Sequence, residues 1–212
     1  MSGSNNTECG PPVSPSYPTP PPDTNDSSTG GYVQPQGTPP LEDAALDAVL
    51  QGMVVGVTNL PGQLVRPRWQ PVPPSQPSPS TNWCAIGAIQ RDPLDYPENR
   101  YQQGAAPDGS QDTILQLFQE ELECLASFYG PNCNGIASQF RSAMYIRQNW
   151  ETLEAQGIAL KTFGSVTHVP ELVNTQWLQR CDLPFTLRRV LQRTYPVRPI
   201  ATVLPPTITY EP

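Results

Sequence analysis

An α+β fold, with one mostly antiparallel sheet and helices packed on one face, is what this sequence predicts, and three features carry the prediction. Along 177–191 the side chains Trp177, Cys181, Leu183, Phe185, Leu187 and Leu191 alternate with Arg180, Asp182, Thr186 and Arg188, and Gln192 follows in the polar phase. Period two with one polar face is the pattern of a strand whose sheet is solvated on one side. Along 82–91 both phases are apolar, as a central strand requires. The helical stripes are grouped rather than alternating one by one with strands, which argues against a parallel α/β sheet. Around the domain at 41–200 the sequence predicts a disordered proline-rich tail at 1–40 and an extended C-terminal arm at 201–212.

The tail holds ten of the 28 prolines, three acids and no base. Prolines remove helix donors, and so little apolar surface cannot offset the entropy of ordering. Its PxxP patterns could dock on an aromatic groove, although composition alone favours a solvated tail. The opening forty residues lack the basic start and apolar centre of a signal peptide, and no apolar run reaches a membrane span, so a soluble, cytosolically made protein is expected. The net charge of −7 argues against a grip on nucleic acid, since phosphate neutralisation dominates such affinity.

The elements run in order along the chain. Leu46, Val49, Leu50, Met53 and Val54 form one helical stripe within 41–57, stopped by Asn59-Leu60-Pro61-Gly62. Residues 64–69 read as a short extended run, and 71–79 as a stiff proline spacer. After the strand at 82–91, residues 92–112 offer little apolar content and read as a long loop. The element at 113–129 fits a helix through Ile114, Phe118, Leu122 and Leu125, and a strand through Leu122, Cys124, Ala126 and Phe128; periodicity leaves both open. Asn132 or Asn134 caps a helix with the stripe Ile136, Phe140, Ala143 and Met144, and a second helix at 150–156 ends at Gly157. A strand at 158–169 ends at Pro170. Pro184 inside the last strand points to an edge or a bulge.

Catalytic material is scarce. His168 is the only histidine, and a packed or rim histidine is far commoner than a general base with no indicated partner. The five cysteines, Cys9, Cys84, Cys124, Cys133 and Cys181, show no close zinc-type pair and read as free thiols, mostly in the core. Asp92, Asp95 and Glu98 lack the pattern of a calcium loop, and Glu120, Glu121 and Glu123 read as an exposed face, although adjacent glutamates cannot all point one way. Arg66, Arg68 and Trp69 suit docking on a protein surface better than stacking on a base. Neither a catalytic, a metal nor a cofactor site is expected.

Three segments resemble the neck and tail terminator proteins of tailed phages: Leu125-Ala126-Ser127-Phe128-Tyr129-Gly130-Pro131-Asn132 before a helix, Gly157-Ile158-Ala159-Leu160, and Trp177-Leu178-Gln179-Arg180-Cys181-Asp182-Leu183. The corner Val169-Pro170-Glu171-Leu172 and the end Arg193-Thr194-Tyr195-Pro196-Val197 are similar to that family too, over roughly 41–200. The resemblance implies that 113–129 is a strand. It also implies a non-enzymatic structural virion protein, in a ring of six or twelve copies at the neck or tail end. Such a ring terminates the tail tube or joins tail to head, beside neck, connector and tail-tube proteins, with DNA passing through the lumen unbound. The alternative is a collar or proline-rich adaptor protein. Arg180, Arg188 and Gln192 form a polar row that calls for complementary acids across a subunit contact. The arm, with Val203, Leu204, Ile208 and Tyr210, is too apolar for water and too rich in proline for its own sheet, and is expected to lie on a neighbour.

Overall fold

The computed structural model describes residues 32–72, 74–105, 112–173 and 175–197. Most of the expected tail and the arm, including Val203, Leu204, Ile208 and Tyr210, lie outside the described residues.

Helix α1 (Asp43–Thr58) buries Leu46, Leu50, Met53 and Val54 and stops where Asn59 turns left-handed and donates its N–H to the Val55 carbonyl at 3.1 Å. A 3-10 turn leads into β1 (Val65–Pro67), followed beyond the proline spacer by β2 (Trp83–Pro93), β3 (Glu98–Gln102) and β4 (Thr113–Tyr129). Helix α2 (Cys133–Ala143) and the single turn α3 (Glu151–Glu154) come next, then β5 (Ile158–Phe163) and β6 (Thr167–His168). After these come β7 (Glu171–Val173), β8 (Gln176–Leu178) and β9 (Arg180–Pro196).

The sheet runs β1-β2-β4-β9-β5, with β3 also pairing β4 and β6 also pairing β9. Among the described residues only β1 and β2 run parallel; the other pairs are antiparallel, and β7 with β8 forms a separate two-stranded hairpin. The fold is therefore α+β, and the element at 113–129 is a strand. Cys181, Leu183, Phe185 and Leu187 of β9 and Leu122, Cys124, Ala126 and Phe128 of β4 face the helices and are buried. Phe140 of α2 sits at the centre of this layer, with its ring 5.8 Å from Phe128, 5.7 Å from Phe163 and 6.0 Å from Phe185.

Several expectations are corrected. The long loop at 92–112 contains β3, whose five residues are all exposed and so display no apolar period. The strand at 158–169 is two strands, β5 and β6, separated at Gly164. The stripe of α2 is rotated: Cys133, Ala137, Phe140 and Met144 are buried, whereas Ile136 is only partly so. Pro184 is not on an edge. Its carbonyl accepts from Gly164 N at 2.8 Å in the gap between β5 and β6, and the β5–β9 register shifts nearby, between Leu160 and Thr162, in keeping with the alternative of a bulge. Order also begins before Leu41: Gln36 N donates to the Thr194 carbonyl at 2.7 Å, laying residues 36–40 beside the end of β9.

Candidate functional site

The polar row on β9 finds its acids within the chain. Arg180 donates to both carboxylate oxygens of Asp182 at 2.8 Å and to Glu171 at 3.3 Å, and lies 5.7 Å over the Tyr129 ring. Arg188 donates to Glu121 at 2.9 Å, and Lys161 donates to the other oxygen of that carboxylate at 2.7 Å. Hydrogen bonds from Lys161 and Arg188 hold the Glu121 carboxyl below its ordinary range. Gln192 is exposed. Arg180 and Arg188 thus have acids within their own chain, and Glu121 lies directly opposite Arg188 in the β4–β9 register.

Glu120 and Arg189, the next pair in that register, face the helices. Glu120 was expected on an exposed face and is instead buried with Arg189, 2.5 Å apart. Arg189 also reaches Glu42 at 3.0 Å and donates to the Leu41 carbonyl, so it joins the sheet to the entry of α1. Burial alone would raise the Glu42 carboxyl; hydrogen bonds and charge from Arg189 and Arg91 outweigh it and hold the group low.

On the opposite face, Arg66 lies 5.7 Å over Trp83, Trp83 stacks on Tyr129 at 4.0 Å, and Tyr129 carries Arg180. This ladder crosses β1, β2, β4 and β9. Arg68 donates to Ser127 at 2.8 Å and Arg66 to the Ser75 carbonyl at 3.0 Å, so both arginines of the expected docking cluster bind their own chain. Trp69 remains exposed.

Beyond the helices the sheet continues as β3-β4-β9. Helix-facing side chains of β4 are buried from Glu120 to Phe128, yet Ile114 and Phe118 are only half-buried, as are Leu115 and Leu117 on the other face. Leu94, Tyr96, Tyr101 and Val190 are exposed nearby. Leu94 N donates to the Gln119 carbonyl at 3.0 Å and Gln119 faces Val190, which places the three side by side. These side chains make this end of the sheet a half-covered apolar patch. The exposed hairpin side chains Leu172 and Trp177, directly opposite each other, are a second apolar spot.

The loop acids do not converge: Asp92 accepts from Gln90, Asp95 from Tyr96 N and Glu98 from Arg100. Sequence reading did not anticipate that Cys133, His168 and Cys181 meet, with their ligand atoms all within 4.8 Å of one another. They lie 35 and 13 residues apart in the chain, so only the fold brings them together.

A family model described as phage neck terminator protein matches residues 44–212. The chain belongs to that family, and is thus a component of the neck of a tailed phage. No curated protein matches it.

Proposed function

We propose that the chain is a non-enzymatic subunit of a ring that ends the tail tube or joins tail to head around the DNA channel. Membership of the neck terminator family carries this reading. The proportions of the molecule support it. At about 3.3 Å per residue a strand the length of β4 or β9 is on the order of 55 Å long, whereas α1 at about 1.5 Å per residue is near 24 Å. The helices therefore cannot cover the whole sheet, and the end at 113–118 needs apolar cover from another copy. Contacts that repeat head to tail close into a ring where the rotation between copies closes. An acidic chain, net −7, keeps like charge near the genome and limits adhesion during its passage.

Light scattering on the purified full chain, paired with imaging of particle necks, tests the proposal. A discrete multimer of about six or twelve copies, present at the neck, is the expected result. A chain that stays monomeric at all concentrations and is missing from the neck would overturn it.

A further inference from the structure

We propose that Cys133, His168 and Cys181 form a zinc site that fastens the start of α2 to the sheet, a role independent of ring formation. Cys133 opens α2, His168 ends β6 and Cys181 lies near the start of β9. The two sulfurs are 2.8 Å apart, and the Cys181 sulfur lies 3.6 Å from His168 Nδ1 and 3.7 Å from Nε2. Both cysteines are buried, at 1% and 0% exposure, whereas His168 is exposed. The site thus has a closed sulfur floor and an imidazole at its mouth, and a fourth position there is open to water.

The frame around it is fixed by backbone bonds. His168 and Cys181 are directly opposite in the antiparallel β6–β9 pair, which puts their side chains on one face within reach of a shared ligand. Val169 N donates to the Arg180 carbonyl at 2.9 Å, holding that pairing. On the helix side Cys133 N donates to the Gly130 carbonyl at 3.2 Å, and Gly130 N to the Gln179 carbonyl at 3.0 Å, which ties the corner before α2 to the strand entry.

Two thiolates and an imidazole are a donor set for zinc and similar borderline ions, and offer none of the oxygen that calcium or magnesium needs. Zinc–sulfur bonds of about 2.3 Å in tetrahedral geometry set two sulfurs roughly 3.8 Å apart, so the pair must open by about 1 Å to admit the ion. The His168–Cys181 spacing already matches neighbouring ligands of one ion. On binding, each thiol releases its proton to solvent and neutral His168 gives a ring lone pair, so two thiolate charges balance the dication.

The test uses the full chain, reduced and stripped with a chelator, then titrated with cobalt(II) as a spectroscopic stand-in. Thiolate-to-cobalt charge-transfer absorption should saturate at one equivalent per chain and disappear when zinc is added. Zinc alone should raise the melting temperature. His168→Ala changes an exposed side chain and leaves the fold intact, and should weaken cobalt binding about tenfold or more. Cys133→Ser and Cys181→Ser should abolish the charge-transfer band. Absence of the band in the reduced wild-type chain overturns the proposal, as does an undiminished affinity in His168→Ala. Recovery of the pair as a Cys133–Cys181 disulfide that reduction does not convert to a metal-binding form also overturns it.

Discussion

Arg189 decides more of this structure than its place in an arginine-rich strand suggests. It is buried to 4% exposure, its guanidinium is shared among Glu120, Glu42 and the Leu41 carbonyl, and these partners lie on β4 and at the entry of α1. A buried charge left without its partner costs far more than an exposed pair contributes. Arg189→Ala should therefore lower unfolding stability by about 3–5 kcal/mol in urea denaturation, whereas Arg188→Ala, on the solvated face, should cost about 1 kcal/mol or less. Equal effects from the two would show that Arg189 is not the pin. The sequence makes the alternation legible, and with it the conclusion that Glu120 and Glu121 point opposite ways. Which glutamate is buried depends on Arg189, 69 residues later, and on Glu42, 147 residues before it. No local pattern encodes such a pairing. The meeting of Cys133, His168 and Cys181 was illegible for the same reason: each residue is ordinary in its own segment, and only the β6–β9 register and the placement of α2 bring them together.

The elements that could be read in advance are those whose periodicity matches one-sided burial. Helix α1 and strand β9 are of this kind, and β2 is apolar on both phases because it is central. Strand β3 could not be read, since hydrogen bonding to β4 holds it while every side chain faces water. Strand β4 fitted two templates because its distal half is apolar on both faces, and a helix and a doubly covered strand then look alike. The Gly130-Pro131 corner, which ends β4 under either reading, rests on backbone rather than on side chains. Gly130 has φ of +102°, and a Cβ there would lie 2.6 Å from the Thr81 carbonyl oxygen. Gly130→Ala should cost at least about 2 kcal/mol, from both the left-handed backbone and the collision. Gly135, inside α2 with open space around its Cα, should respond with the opposite sign: Gly135→Ala should stabilise by about 0.5–1 kcal/mol. Thermal unfolding of the two single variants checks both signs, and a neutral Gly130→Ala would mean that the corner yields without strain.

At the scale of the whole molecule, assembly depends on which surfaces the chain leaves unfinished. The polar row at Arg180 and Arg188 is satisfied internally, so it no longer demands a neighbour. Two candidates remain: the far end of β3-β4-β9, where apolar side chains are half-covered, and the residues beyond β9. The strand is held to its last bond: Val197 N donates to the Asp112 carbonyl at 3.0 Å, and the Asp112 carboxylate accepts from Gly104 N at 2.8 Å and from the Tyr101 hydroxyl. Among the described residues, β9 is thus tied to the start of β4 as far as Val197. The C-terminal residues beyond it include Ile200, Val203, Leu204, Ile208 and Tyr210 together with Pro199, Pro205 and Pro206, a composition that resists joining a sheet interior and yet disfavours water. The family match extends through residue 212, so this stretch belongs to the family's pattern and not to a chance extension. Truncation after Val197 should leave a chain with unchanged circular dichroism and a melting temperature within a few degrees of the full protein, yet unable to form the multimer. Light scattering on the truncated and full chains decides the matter: a truncated chain that still forms multimers of normal size would place the clasp elsewhere, with the half-covered sheet end as the surface left to hold the ring.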